Sequence, residues 1–317
     1  MVHQSFNTSS SVKYSHKLFR YFIVVGLLVF ATLVVIDSCV KAFLGDKSTS
    51  DKSQIVEQQV SHEPTPAPSQ QSNSVPAVNF QPAVDVFSSS SGGTKSLLIF
   101  DVERDELVTS LNSQETYNTA SLYKLFVVYE GYKKIESGLW NASDPLGTTG
   151  YSVLECLDLA IRESHSPCAE ALWDKIGRAE LEKTIESNYH APNTDISHLL
   201  STPEDILAVM KLFYYHPDIV SSELVTKLKD SFLNQPATSY DWRQGLPSGF
   251  SKANVFNKVG WEYNEENKTW NVYHDAAIIE FPEDDRHFIV VVMTRNVPFS
   301  KITELGAGIE KQYYESR

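Results

Sequence analysis

Three short stretches carry side chains whose types and spacing suit acyl-transfer chemistry. Ser121 and Lys124 stand three positions apart within TASLYKL, residues 119–125. Ser164 and Ser166 flank His165, and Lys258 leads into Val259, Gly260 and Trp261. Positions i and i+3 share one side of a helix, so a hydroxyl and an amine placed there can touch. Near a helix N-terminus, free backbone N–H groups and the helix dipole favour developing negative charge. A serine nucleophile with a lysine base would suit that setting. The spacing alone decides nothing, because Ser10 and Lys13 repeat it in the N-terminal tail. The weight must come from the elements around it.

Leu122, Leu125, Phe126 and Tyr129 recur at spacings of three and four, which predicts that Ser121 and Lys124 open a helix. Residues 96–103 and 107–112, split by Arg104, Asp105 and Glu106, read as a β-hairpin. From residue 117 to about 250 the periodicity is mostly helical, with helices expected at 123–137 and 152–163. Another is expected from Ser166, read as an N-cap before Pro167, and a further one from Thr202 through Phe213. Strand character returns at 254–261, 269–281 and 287–295, and Ile302, Leu305, Ile309 and Tyr313 close the chain at helical spacing. The predicted fold is α/β two-lobe (α+β): a five-stranded antiparallel sheet with a terminal helix, plus an inserted all-helical lobe. A cleft between the lobes is the natural place for a site.

This folded unit is expected over residues 94–317. Residues 45–93 are rich in Pro, Ser and Gln and read as a disordered linker, with 80–87 the one part apolar enough to dock on the domain. Residues 21–36 form an uncharged apolar run that Leu18 and Phe19 extend beyond Arg20. A single transmembrane signal-anchor helix is therefore expected over 18–37. Lys13, His16, Lys17 and Arg20 flank its N-terminal side, so residues 1–17 are expected to be a cytoplasmic tail and the domain extracytoplasmic. The membrane is thus an expected partner.

The net charge of −13 argues against nucleic acid as a partner, since phosphates demand a basic footprint. Three cysteines are too few for a disulfide framework. Cys156 and Cys168 fall in apolar helical stretches and read as two buried free thiols, although an oxidising compartment would let them pair. The histidines at 165, 190, 198, 216, 274 and 287 show neither HxH nor HExxH spacing, so no metal is expected. No cofactor is expected either.

Taken in order, SLYK, SHSP and KVGW, together with their surroundings across residues 95–317, resemble the serine β-lactamase and penicillin-binding protein superfamily. The chain is most similar to class A β-lactamases, whose three elements are S-x-x-K, S-D-N and K-T-G. The resemblance implies that Ser121 is the acylated nucleophile and Lys124 its base. It implies that Ser164 relays a proton and that Lys258 attracts the substrate carboxylate. Ser166, Gly260 and Trp261 would line the substrate site, with the backbone N–H groups of Ser121 and Trp261 as the oxyanion hole. The implied substrate is a small-molecule β-lactam or a peptidoglycan peptide.

The sequence also departs from that pattern. His165 and Ser166 replace the Asp and Asn of S-D-N, and Val259 replaces the Thr of K-T-G. Trp261 is bulkier than the small residue usual there. The family's E-x-x-L-N loop, whose Glu activates the hydrolytic water, has no counterpart in 185–201, where Glu186 and Asp195 are the only carboxylates. The expectation is an enzyme that acylates but deacylates poorly. The alternative is a catalytically degenerate domain that binds peptidoglycan or a protein partner in the same cleft.

Overall fold

The strand β7 (Arg286–Arg295) is an almost unbroken run of β-branched and apolar residues, and every position from Phe288 to Thr294 is buried. Such a run suits a central strand covered on both faces. In the computed structural model, which describes residues 76–233, 243–266 and 268–317, β7 is indeed central. It lies between β1 (Thr94–Asp101) and β6 (Thr269–Phe281) in a five-stranded sheet. β2 (Glu106–Leu111) flanks β1 and β5 (Asn254–Asn264) flanks β6, and every pairing is antiparallel.

Alternation along the strands divides the core in two. Leu97, Ile99, Val290 and Val292 pack with Ile302, Leu305, Ile309 and Tyr313 of the terminal helix. Leu98, Phe100, Ile289, Val291 and Met293 pack with the helical insertion on the opposite face. The predicted hairpin, the three later strands and the closing helix are all present.

A second short sheet, β3 (Tyr117–Asn118) with β4 (Leu200–Ser201), ties the two ends of the first part of the insertion together. After one 3₁₀ turn, Ala120–Leu122, comes the helix α2 (Tyr123–Glu136). Ten consecutive residues of α2, Tyr123 to Tyr132, are buried, so this helix is the axis of its lobe rather than an amphipathic cover. α3 (Val153–Arg162) opens on a capping box in which Ser152 and Glu155 bond each other's backbone N–H groups. α4 (Ser166–Ile176), α5 (Arg178–Ser187), α6 (Pro203–Tyr215) and α7 (Ser222–Leu233) complete the lobe.

Two expectations need correction. Cys156 on α3 and Cys168 on α4 are joined in a disulfide, with Cα atoms 4.9 Å apart, and are not free thiols. The two helices pack side by side, which brings together cysteines that linear spacing left unrelated. The second concerns the start of the domain. Gln81–Ser89 lie within the expected linker, yet they form the first helix of the folded part, α1, which buries Ala83, Val84 and Phe87. Phe80 is also buried and meets Phe288 edge-on at 5.0 Å. Pro82 at the helix start and the apolar spacing of Phe80, Val84 and Phe87 explain why this piece folds.

Among the described residues no helix is long and apolar enough to cross a membrane; the run expected to do so, 18–37, lies outside them. The same is true of the cytoplasmic tail and of linker residues 45–75.

The α1 packing yields a test of where the domain begins. Phe87→Ala is expected to cost about 3–5 kcal/mol, the usual range for emptying a buried aromatic site. Denaturant unfolding monitored by tryptophan fluorescence measures it; a linker residue would change stability by less than about 0.5 kcal/mol.

Candidate active site

Lys124 is the second residue of α2 and its side chain is fully buried. Its Nζ donates to Ser164 Oγ at 3.2 Å and to Ser166 Oγ at 3.1 Å. It also donates to the backbone oxygen of Ser164. Lys258, on β5 and likewise buried, donates to the same Ser164 Oγ at 2.9 Å and to Val259 O at 2.6 Å. Two amines from different lobes therefore converge on one hydroxyl. A hydroxyl oxygen has two lone pairs, so Ser164 can accept from both lysines and still point its own O–H elsewhere.

That arrangement requires unusual backbone. Ser164 has φ +52°, in the left-handed region where a non-glycine residue carries a cost of about 1–3 kcal/mol. The strain turns its carbonyl and its hydroxyl towards Lys124 together. The turn also ends α3 and starts α4, so the short 163–165 connection fixes Ser164 between two packed helices.

Burial governs the protonation of both lysines. Desolvation pushes Lys124 down from the usual lysine range to about 8, with Glu170 acting in the opposite sense. Lys258 is pushed well below its ordinary value, first by burial and then by the neighbouring Lys124 ammonium. Asp275, which pairs across from Val259 on β6, is the buried carboxylate that partly offsets this. Its own carboxyl is raised to about 7 by burial, although Asn257 and the Leu246 N–H both donate to it.

Ser121 lies in the 3₁₀ turn before α2, half-buried, three residues ahead of Lys124. Among the described residues its hydroxyl has no hydrogen-bond partner, and the three donors of a protonated Lys124 are all directed to Ser164 and Ser166. Gly260 explains how the lobes meet beside this serine. A Cβ at Gly260 would lie 2.6 Å from Thr119 O and 3.2 Å from Leu122 N. Only glycine lets β5 press against the turn that carries Ser121. Trp261 follows on β5, half-buried.

Four of the sequence-derived positions thus meet here: Lys124, Ser164, Ser166 and Lys258, while Gly260 rests against the turn before α2. Ser121 and Trp261 sit on the two segments that Gly260 brings into contact. One local role changes. The cap of α4 is His165, whose Nδ1 accepts from Cys168 N at 3.3 Å, and Ser166 is the first helical residue. Ser166 is therefore available to Lys124 rather than occupied as an N-cap.

The carboxylates of 185–201 do not join this cluster. Glu186 is exposed, and Asp195 caps the turn at Ile196–His198 and bonds His198 Nδ1 at 2.8 Å. The acid that does act on Lys124 is Glu170 of α4, one helical turn beyond Ser166. It accepts from Tyr123 OH at 2.8 Å and pairs with Arg178 at 2.7 Å. Sequence reasoning passed over it because nothing in linear spacing connects residues 123, 170 and 178; helix position i+4 from Ser166 was the available signal.

A sequence profile of the beta-lactamase enzyme family matches residues 79–313. PBP-A is similar in structure at 17% identity, with a TM-score of 0.62, 74% of this chain and 96% of PBP-A being covered. A PBP-A mutant solved as an acyl-enzyme complex with penicillin G has a TM-score of 0.61, again at 17% identity, with 74% and 96% covered. An ancestral class A β-lactamase aligns at 16% identity with a TM-score of 0.62, covering 74% of this chain and 99% of its own. No curated protein matches the chain. At such identities the structural likenesses establish the fold.

The burial of Lys124 has a measurable consequence for stability. Its folded pKa of about 8 lies below the 10.5 of an exposed lysine, so the folded state loses stability as pH falls from about 10.5 towards 8. Lys124→Met is therefore expected to raise the melting temperature at pH 7 by a few degrees, and by less at pH 10. Thermal unfolding at the two pH values checks the sign.

Proposed function

Because the chain belongs to the beta-lactamase enzyme family, we propose that it is a serine hydrolase acylated at Ser121 by β-lactams or related cell-wall peptide amides. The observation that carries this reading is the shared Ser164 hydroxyl, which accepts from both Lys124 and Lys258. Lys124 in its neutral form takes the Ser121 proton as Oγ attacks the carbonyl carbon. Ser164, held between the lysines, passes a proton to the leaving nitrogen when the C–N bond breaks. Lys258 attracts the substrate carboxylate, and Ser166 and Trp261 line the site. The backbone N–H groups of Ser121 and Trp261 stabilise the oxyanion.

Hydrolysis of the acyl-enzyme is the slow half of this proposal. Neither Glu186 nor Asp195 has the context of a water-activating carboxylate, so the adduct is expected to persist. The same substitutions, with His165 spent as a helix cap, support a second reading: a non-catalytic domain that binds peptidoglycan or a protein partner in this cleft.

For localisation we propose a membrane anchor at 18–37 with the domain outside the cell. The Cys156–Cys168 disulfide supports an oxidising compartment. Protease added to intact cells is expected to release the domain; protection would refute this orientation.

Incubation with a reporter penicillin is expected to add its mass to Ser121, and Ser121→Ala is expected to give no adduct. Wild type indistinguishable from Ser121→Ala would leave the binding-domain reading. The adduct is expected to last minutes or longer, and turnover within seconds would refute slow deacylation. The pH profile tests the base. Lys124 is protonated below about 8, so acylation should fall about tenfold per pH unit below that value and level off above it.

A further inference from the structure

Ser121 sits on a segment with little regular structure to hold it. β3 is two residues long, and a single 3₁₀ turn separates it from α2. Within that connection Ala120 has φ +43°, a left-handed conformation that an alanine does not adopt without support. The backbone immediately before the nucleophile is therefore strained and must be held by its neighbours.

The Thr119 N–H donates to Leu199 O at 2.7 Å, and the remaining holding contacts converge on Asn118. Its side-chain Oδ1 accepts from the Ala120 N–H at 2.8 Å. Its backbone oxygen lies 2.7 Å from Nε2 of His274, a fully buried residue of β6. The tautomer of that imidazole follows from its other nitrogen. Nδ1 accepts from the Thr294 N–H at 3.0 Å, so the proton is on Nε2, which donates to Asn118 O. Tyr117 packs edge-on against the ring at 5.8 Å and anchors its own hydroxyl on Ser96 at 2.9 Å. Burial pushes His274 down to about 4, which keeps the ring neutral and this donor–acceptor pattern intact near neutrality. His274 also pairs across from Gly260, the residue against which the nucleophile turn rests. One imidazole thus bonds the central strand β7 through Thr294 and the nucleophile segment through Asn118.

The geometry points to His274 as a positioning residue for acylation: through Asn118 it fixes the Ala120–Ser121 turn against β5, so that Ser121 meets the substrate carbonyl in one orientation. Among the described residues the His274 ring bonds Asn118 O and the Thr294 N–H, and neither Ser121 nor either lysine. It acts by restricting the turn, with Asn118 Oδ1 completing the hold on Ala120. This inference rests on the proposed acylation of Ser121, and its test separates the two.

The experiment compares full-length wild type with His274→Phe, His274→Gln and Asn118→Ala. Phe keeps the ring volume but loses both hydrogen bonds, whereas the Gln amide can reach the position of Nε2 and donate. Asn118 is exposed, so its truncation releases Ala120 without emptying the core. The acylation rate constant and the dissociation constant of the preceding non-covalent complex are measured with a reporter penicillin. His274→Phe is expected to lower the acylation rate constant at least tenfold while the dissociation constant stays within threefold. His274→Gln is expected to recover to within threefold of wild type, and Asn118→Ala to lose at least threefold in rate.

Hydrogen exchange supplies the second readout. Amides of Thr119 to Leu122 are expected to exchange at least tenfold faster in His274→Phe and Asn118→Ala, with those of Val290 to Val292 unchanged. Wild-type rates and wild-type exchange in the variants would overturn the inference. Should His274→Phe fail to fold, Asn118→Ala decides by the same criteria. Should wild type form no adduct, the proposed function falls, and the exchange of residues 119–122 alone supports or overturns the hold by His274.

Discussion

Two amines buried against one hydroxyl are the constraint that the rest of the molecule serves. Taking Lys124 and Lys258 out of water disfavours their charged forms, and placing them together disfavours them further. The fold tolerates this because each amine is given acceptors: the Ser164 carbonyl, the Ser164 and Ser166 hydroxyls, and the Val259 carbonyl. Those acceptors exist only where the helical lobe and the sheet meet. The left-handed Ser164 and the glycine at 260 are local costs accepted to make that meeting close.

The same constraint is met by how the surrounding elements are packed. α2 is buried along most of its length and holds Lys124 in place, and β5 carries Lys258 next to a strand whose Asp275 balances part of the charge. The disulfide between α3 and α4 braces the two helices that frame the Ser164 turn. By contrast, the Ser121 segment is a two-residue strand and a single turn, bonded by side chains of β6 and of Asn118. Lys124 and Lys258 thus sit on extensively packed elements, whereas the turn that carries Ser121 rests on polar contacts beneath it.

The architecture was legible in the sequence because its signals are local. Alternating and β-branched runs marked the strands, and the spacing of Ile302, Leu305, Ile309 and Tyr313 marked a helix that does bury those four residues. The site was legible through three ordered motifs, of which the lysines and Ser164 do come together. What escaped sequence reasoning depended on partners distant along the chain. Cys156 and Cys168 pair only because α3 packs on α4, and α1 folds because the sheet offers it an apolar face. His165 takes the cap that Ser166 was expected to provide, a choice set by the φ and ψ of one residue. Glu170 and His274 carried no motif at all.

By itself, then, the sequence determined the five main strands, the helical insertion and the closing helix, and the residue types able to support a serine nucleophile with a lysine base, since periodicity and chemistry are properties of neighbours in the chain. The tertiary structure alone decided which hydroxyl the two lysines share, how far their basicity falls, and which acids stand aside. Those depend on desolvation and on distances of about 3 Å between residues up to 94 positions apart. A hydrogen bond of that length is created by packing, and no spacing along the chain encodes it.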